Sequence, residues 1–458
     1  MTRSFSKITS AIDKVVFYVL LAVIALAAIP YGTVEPWWKA VFGCAVFALT
    51  SLSVLGRLLS RDPARSVRWP AWFLPVLAFI AFALIQTIPW SQSTRAGVRA
   101  GQTLSADSFQ TWQFMLQLLA LLLVAWLLLL HTTTAKRLRV LVDVVVLIGV
   151  VSAVFGLGRQ MFQRQPGFLL PFLRPDYGYG QFINSNHFAF LMEMAVGLTL
   201  GLVIFRGVTG KRLAIYLLAS VPMWVALVLA NSRGGILSML CQVIFLATLF
   251  VSQRKDRKRA KLSRGRRLVV HTALVATLLL GAVVTVIFVG GDPLAVRIDS
   301  LSVELDQKTA ETFALRPNIW RATWELIKDH PVAGVGFGGY WVAITEYHRG
   351  SGEAGPREAH NDYLELLASG GLIGLAIGAW LVFEFVKTAR RKVHANDRYL
   401  RAAKFGALAG IVAVAIHSLV DFGLHLTINA AVFTVLLAIV VISSNGFQDE
   451  VKVYSGPS

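Results

Sequence analysis

The chain has 458 residues, of which 56% are hydrophobic and only 15% are charged. Soluble domains carry about 25% charged residues, so this composition excludes an ordinary soluble enzyme. The net charge of +19 is explained by loops retained on the cytoplasmic side of a membrane rather than by nucleic-acid binding.

Apolar runs of membrane-spanning length recur along the whole chain, which predicts an all-α, polytopic membrane protein with about twelve transmembrane helices. We expect a single integral membrane domain over residues 1–458. Because no small-residue cleavage site follows the first run, we interpret it as a retained span and not as a signal peptide. The predicted spans are 14–33, 37–56, 70–90, 112–131, 139–158, 184–205, 213–231, 235–252, 268–290, 361–386, 402–420 and 426–444.

The loops between these spans fall into two sets of unequal charge. One set contains both termini and the run SQRKDRKRAKLSRGRR, and it holds 30 of the 44 lysines and arginines. This set is therefore predicted to be cytoplasmic. The opposite set contains three substantial external loops, 91–111, 159–183 and 291–360, and long loops of this kind are usually functional.

Two candidate residues precede the longest external loop. His187, in NSNHF, is at the external edge of a span, and we interpret it as structural or substrate-contacting. Arg233, in LVLANSRGGILSML, lies between two apolar spans that leave almost no loop. A charge at that depth is costly and indicates a functional site, although an arginine that reaches the lipid headgroups is the alternative.

The long loop itself contains signals for short helices. Arg316–Pro317 predicts a helix start, because proline suits the first helical position. Trp320, Trp324 and Ile327 then share one helical face, which indicates packing or an amphipathic helix in the membrane interface. The following GVGFGG is interpreted as a tight turn or as backbone close to a ligand, and not as a dinucleotide-binding motif, because no strand–helix–strand unit surrounds it.

The loop ends in EAHNDYLELLASGGLIG, which begins polar and continues into an apolar helix. His360 lies at the external start of that helix, where the helix dipole disfavours a protonated imidazole, so we expect a neutral ring that accepts a proton. Such a base beside arginines suits deprotonation of a hydroxyl while a phosphate leaving group departs. Arg316 and Arg321 are candidates to bind that phosphate, and Glu358 or Glu365 to orient the ring. A polar helix cap is the alternative role for His360.

These residues resemble the O-antigen ligase and O-antigen polymerase superfamily. The ligase signature is His, then Asn, Ser or Gln, nine residues, Gly, two residues, and Gly, Thr or Tyr; it is met by His360, Asn361, Gly371 and Gly374. The stretches NSNHFAFLMEMAVG, NSRGG and RPNIWRATWELIKDHPVAGVGFGGY are also similar to the family, so the resemblance covers residues 180–390.

The resemblance implies a GT-C-type glycosyltransferase in the bacterial inner membrane, with both termini cytoplasmic and the active site periplasmic. The donor would be a glycan on undecaprenyl diphosphate. The acceptor would be a sugar of lipid A–core in a ligase, or another lipid-linked repeat in a polymerase. Some polymerases carry an Arg-x10-Gly pattern that neither Arg316 nor Arg321 meets, which favours a ligase.

The resemblance also implies roles for individual residues. His360 would be the base, while Arg233 and Arg316 would hold the diphosphate, with Arg321 as an alternative to Arg316. No metal or cofactor is expected, and the sequence contains no Asp-x-Asp pair.

A twelve-span secondary transporter is the competing interpretation of another class, because clustered charges at span edges can line an anion pathway. Two features disfavour it. The two halves of the chain show no repeat, and the largest external segment falls between the ninth and tenth predicted spans.

Overall fold

The computed structural model describes residues 2–60, 69–95, 98–175, 177–255, 316–348, 356–392 and 397–442. Within these residues the chain is all-α apart from one antiparallel hairpin, β1 (Ser91–Arg95) and β2 (Val98–Gln102), in the loop over residues 91–111. The α-helices are α1 (Thr2–Leu26), α2 (Pro36–Ser60), α3 (Phe73–Thr87), α4 (Ser108–His131), α5 (Ala135–Phe162), α6 (Ser185–Ile204), α7 (Lys211–Leu229), α8 (Arg233–Lys255), α9 (Arg316–Asp329), α10 (Tyr340–Ala343), α11 (Asp362–Lys392), α12 (Arg398–His417) and α13 (Thr427–Val441).

The helices confirm the prediction of an all-α polytopic membrane protein. Nine helices in the described part of the chain are long and apolar enough to cross a membrane, and two shorter apolar helices, α3 and α13, accompany them. Each of these eleven helices coincides with one predicted span. The remaining predicted span, 268–290, lies outside the described residues.

Glycines bring the central helices α6 and α12 into close contact. A Cβ added to Gly201 of α6 would lie 2.3 Å from the Cα atom of Gly406 in α12, and one added to Gly197 would lie 2.8 Å from the backbone nitrogen of Gly410. Small residues let helix backbones approach closely in a membrane, where packing rather than the hydrophobic effect drives association. This contact sets the start of α6 beside the segment that follows α12. We call this end of the bundle, which also contains the starts of α8 and α11, the site end.

The described part of the long loop packs over α11. Backbone N–H groups of Val335 and Gly336 donate to the carbonyl oxygens of Ala368 (3.0 Å) and Ser369 (2.9 Å). Gly371 interrupts α11 with a φ of 59°, and a Cβ there would lie 2.3 Å from the carbonyl oxygen of Val332. The GVGFGG segment is therefore a tight turn that packs against the kink of α11.

Helix α9 buries a face different from the predicted aromatic stripe. Ile327 is buried, but Trp324 is 51% exposed, and Trp320 donates its indole N–H to the carbonyl oxygen of Ala359 at 2.9 Å. The buried face of α9 consists of Ile319, Ala322, Thr323, Leu326 and Ile327. The stripe thus divides between packing, a hydrogen bond and the surface.

Candidate active site

Asp421 is the centre of a polar cluster at the site end. It lies in the short connection between α12 and α13, and its side chain is fully buried. Arg316 donates a hydrogen bond from Nη2 to Oδ2 at 2.9 Å, and the side-chain amide of Asn186 donates to the same oxygen. The backbone N–H of Phe422 donates to Oδ1 at 2.9 Å. One buried carboxylate thus joins α9, the start of α6 and the end of α12.

His360 faces the same carboxylate. Its Nδ1 atom lies 3.5 Å from Oδ1 of Asp421, and its side chain is 29% exposed. The backbone has a φ of 50°, a left-handed conformation that is uncommon outside glycine. Neighbouring groups fix it, because Glu365 accepts the N–H of Ala359 at 2.8 Å while Trp320 donates to the carbonyl of the same residue. The ring is therefore held between the helix that carries Arg316 and the helix that it precedes.

The residues after His360 tie the start of α11 to the end of α12. The Oδ1 atom of Asn361 accepts the backbone N–H groups of Tyr363 (3.0 Å) and Leu364 (3.1 Å), which caps the helix. Asp362 donates its backbone N–H to the carbonyl of Ser418 at 3.0 Å and accepts the hydroxyl of Ser418 at 2.6 Å. Asn361 therefore has a structural role as a cap, which keeps His360 next to Asp421.

The charges around Asp421 keep it ionised. Burial acts to raise the pKa of this carboxyl, but His360, His187 and Arg316 face it and hold the pKa at about 2. His187 approaches with Nε2 at 4.0 Å from Oδ1. The carboxylate is thus an anion throughout the neutral range and compensates cationic charge around it.

His360 also borders a second group of carboxylates on another side. His425 Nε2 lies 3.5 Å from Asp362 Oδ1 and 3.7 Å from Glu365 Oε1. Burial raises the pKa of the nearby Glu358, with a further contribution from Glu365, while His425 acts to lower it. Because His360 also acts electrostatically on Glu358, it lies near this group as well as near the Asp421 carboxylate that Arg316 binds.

The Phe422 ring sits among three histidines. Its centroid lies 4.7 Å from that of His187, 4.8 Å from that of His360 and 5.6 Å from that of His425. The steep interplanar angles of 78°, 77° and 67° are edge-to-face contacts, the arrangement that aromatic rings prefer. This apolar ring fixes the imidazoles sterically without using their nitrogen atoms.

Arg233 lies next to this cluster through its chain neighbours. The Ser232 hydroxyl is 3.5 Å from Nε2 of His417, and Gly234 packs so closely that an added Cβ would lie 2.6 Å from the His417 ring and 3.0 Å from Val420. The side chain of Arg233 itself is exposed. The turn that carries Arg233 thus packs directly on the segment that leads to Asp421.

Arg321 does not share the position of Arg316. The two residues are five apart on α9, which separates them by about 140° around the helix axis. Arg321 is exposed, whereas Arg316 is 39% exposed and paired with Asp421. Of the two arginines, the structure brings Arg316 to the cluster.

A buried carboxyl–imidazole pair beneath the Arg233 turn was not predicted. His417 Nδ1 lies 2.7 Å from Oε1 of Glu193, and both side chains are buried within the bundle. The His417 ring stacks on Phe190 at 4.1 Å. Ionisable residues at membrane depth are costly and usually functional. Here the pair supports the turn of Ser232 and Arg233 from below.

The structure thus brings four of the predicted site residues close together. His360, Arg316 and His187 face Asp421, and Arg233 lies beside them. The role of Glu358 or Glu365 in orienting the imidazole stays a prediction. In the structure Asp421 faces the ring, and Glu365 accepts the backbone N–H of Ala359.

Asp421 itself was missed from the sequence. The signal that identifies Arg233, a charge in a short connection between two spans, is also present at Asp421. No set of three potential metal ligands occurs among the residues that the structure describes.

The fold and the site define a multi-pass helical membrane protein with a polar centre at one end of its bundle. Residues 218–379 match the family model described as O-antigen ligase. This match confirms the resemblance to the O-antigen ligase superfamily over that part of the chain and supports a membrane glycosyltransferase of the ligase or polymerase type. The matched range includes Arg233, Arg316 and His360, whereas Asp421 and Asn186 lie outside it. No curated protein matches the chain.

Proposed function

We propose that this protein is an O-antigen ligase-type glycosyltransferase of the bacterial inner membrane. It transfers a glycan from undecaprenyl diphosphate to a hydroxyl of lipid A–core at the periplasmic face. The observation that carries this proposal is the sharing of one buried carboxylate, Asp421, by an imidazole and a guanidinium. The chain then acts as one membrane domain, with a catalytic region over 180–390 and a large periplasmic loop over 291–360.

In this mechanism His360 is the general base. Asp421 faces Nδ1 and favours the tautomer that carries its proton there, which leaves Nε2 to accept the proton of the acceptor hydroxyl. The carboxylate then stabilises the imidazolium that forms. His187 also contacts the Phe422 ring and lies 4.0 Å from Asp421 Oδ1, and its role is structural or substrate-contacting.

The arginines bind the leaving group. Arg316 donates to Asp421 through Nη2, and a guanidinium has five N–H donors in a fork that can also pair with phosphate oxygens. Arg233 starts α8, where the helix dipole and the first N–H groups also attract anions. As the acceptor oxygen bonds to the anomeric carbon, the bond from that carbon to the phosphate oxygen breaks. Undecaprenyl diphosphate leaves, and the arginines compensate its charge.

The polymerase alternative uses the same centre and differs only in its acceptor, a second lipid-linked glycan. The unmet Arg-x10-Gly pattern favours the ligase. The chemistry needs neither a metal ion nor an organic cofactor, since guanidinium groups take the place of a cation at the diphosphate.

The direct test is transfer by the purified protein in detergent. The donor is undecaprenyl-diphosphate-linked glycan, offered with lipid A–core, with a second portion of lipid-linked glycan, or with both. We expect the glycan to appear on lipid A–core, and at an unchanged rate in EDTA. Elongation of the lipid-linked glycan alone would identify a polymerase, and transfer that stops in EDTA and returns with Mg²⁺ would contradict the metal-independent mechanism.

A further inference from the structure

A polar cavity of about 440 Å³ opens at the site end. It lies between the last turns of α5, the loop from 163 to 184, the start of α6 and the end of α7. Its volume is within the range of roughly 300–1,000 Å³ that is typical of small-molecule sites. Its polar lining includes Gln160, Arg164, Tyr177, Tyr179, Asn184 and Asn231.

Arg159 holds the wall of this cavity in shape. Its buried guanidinium donates to the carbonyl oxygens of Arg174 (2.6 Å), Tyr177 (2.6 Å) and Gly180 (2.8 Å), and Nε donates to Oε1 of Gln163 at 2.6 Å. These bonds occupy the donors of Arg159 with protein acceptors. The arginine therefore organises the loop, and the cavity wall is formed before any ligand binds.

Two walls of the cavity continue directly into the candidate active site. Asn184 accepts the N–H of Asn186 at 2.8 Å, and the side chain of Asn186 donates to Asp421. On the opposite wall, Asn231 is two residues from Arg233 in the chain. A ligand in the cavity is thus flanked by the turn that carries Arg233 and by the helix start that binds Asp421.

The lining is suited to a carbohydrate. Amide and guanidinium groups donate to and accept from hydroxyls, and the Tyr177 ring, with 63% of the residue exposed, offers a face for the apolar side of a sugar. Tyr179 is only 6% exposed, and its hydroxyl has no hydrogen-bond partner among the described residues. An unpaired buried hydroxyl is unfavourable, so a shift of the Tyr179 ring that lets its hydroxyl pair with a sugar hydroxyl in the cavity is favoured.

We propose that this cavity binds the donor sugar nearest to the diphosphate, an assignment that rests on the proposed glycosyl transfer. The position beside Arg233 places the occupant next to the leaving group. The acceptor approaches instead from the side of His360 that carries Asp362, Glu365 and His425.

The test compares the binding of three lipids to the full-length protein in detergent. They are undecaprenyl phosphate, undecaprenyl diphosphate and undecaprenyl diphosphate that carries the glycan. We expect the glycan to increase affinity over the bare diphosphate. Tyr179→Phe and Gln160→Ala should each reduce this increase by about fivefold, the effect of one hydrogen bond, and leave the affinity for bare diphosphate within twofold. Trp324→Ala, at an exposed aromatic residue on α9, is the matched control and should change neither affinity.

Three outcomes would overturn the assignment. If the glycan's contribution persists in both variants, the sugar binds elsewhere. If both variants lose the same affinity for bare and for glycosylated diphosphate, the cavity is structural or binds phosphate. If free core oligosaccharide competes with donor binding in the wild type and both variants abolish this competition, the cavity binds the acceptor. If the wild type does not prefer diphosphate over monophosphate, the proposed function itself fails, whichever way the cavity variants behave.

Discussion

Replacing Asp421 with asparagine tests the role of the shared carboxylate. Asparagine keeps the size and one acceptor oxygen but removes the negative charge. Its amide is able to donate to Nδ1 of His360, which lies 3.5 Å from the present Oδ1 atom. The imidazole then carries its proton on Nε2, where the proposed mechanism needs a proton acceptor. The substitution therefore opposes the reaction without creating a cavity.

The expected loss is small in stability and large in rate. Hydrogen bonds to charged groups contribute about 1.5–3 kcal/mol, and neutral ones about 0.5–1.5 kcal/mol. The bonds from Asn186 and from the backbone of Phe422 each weaken by about 1 kcal/mol on that scale. Arg316, whose side chain is 39% exposed, turns to water, and asparagine avoids the cost of burying an ionised group. A net loss of about 1 kcal/mol in unfolding free energy is expected, whereas a general base that loses its acceptor nitrogen slows transfer about a hundredfold or more.

The assay is single-turnover transfer by purified protein, with thermal unfolding measured on the same samples. Glu346→Gln is the matched control, since it makes the same carboxylate-to-amide change at an exposed residue of the described loop and should alter neither quantity. Transfer by Asp421→Asn within threefold of wild type would refute the reasoning. A collapse of folding in that variant would instead assign Asp421 a structural role.

Three further predictions concern the arginines, the signature glycines and a half-buried carboxyl. If Arg233 and Arg316 bind one diphosphate, the double alanine variant should be clearly less impaired than the product of the two single effects, measured as kcat/KM for the lipid-linked donor. Gly371→Ala should lower the unfolding free energy by at least about 1–2 kcal/mol, because the backbone φ of 59° at this position disfavours a side chain. Gly374→Ala should not reproduce that loss, because a Cβ added there would lie 3.5 Å from the nearest atom. Glu358→Gln should raise the thermal stability at pH 8, because burial raises the pKa of the Glu358 carboxyl in the folded state and ionisation of this carboxyl then opposes folding. The gain in stability should shrink as the pH falls through the pKa of the folded state and vanish below the pKa of the unfolded state, about 4.3.

Each of these predictions has an outcome that contradicts it. Strictly multiplicative losses for the two arginines, with unchanged diphosphate binding, would mean that they act separately. Equal effects of the two glycine substitutions would remove the kink of α11 as the reason for the first signature glycine. A stability gain at Glu358→Gln that does not depend on pH would show that ionisation of this carboxyl is not its source.

The helical architecture was predictable because hydrophobic length and charge bias are local properties of a sequence. Eleven of the twelve predicted spans correspond to helices in the described part of the chain. His360 and Arg233 were also predictable as candidates, because polar residues at span edges are conspicuous against apolar sequence. The hairpin of β1 and β2 was not predicted, since the polar run SQSTR lacks the alternation of apolar and polar residues that is typical of a half-buried strand.

The pairing around Asp421 was not predictable in the same way. Asn186 and Asp421 are 235 residues apart, and they meet because glycines let α6 and α12 approach closely. A one-dimensional pattern shows that each residue lies at a span edge but not which edges pack together. Which of Arg316 and Arg321 reaches the cluster likewise depends on the face that α9 buries, which the sequence did not show. The carboxylate that faces His360 belongs to Asp421, in the connection between α12 and α13, and not to the neighbouring Glu358 or Glu365.

The most direct test of the proposed reaction is the single-turnover transfer rate of His360→Asn with lipid-linked donor and lipid A–core. Asparagine removes the imidazole and tolerates the left-handed backbone that His360 adopts, with φ of 50°. We expect donor binding and thermal unfolding to match the wild type, and transfer to fall about a hundredfold or more. A variant that binds the donor normally and transfers the glycan within threefold of the wild-type rate would show that His360 is not the base and that the Asp421 centre does not perform the proposed reaction.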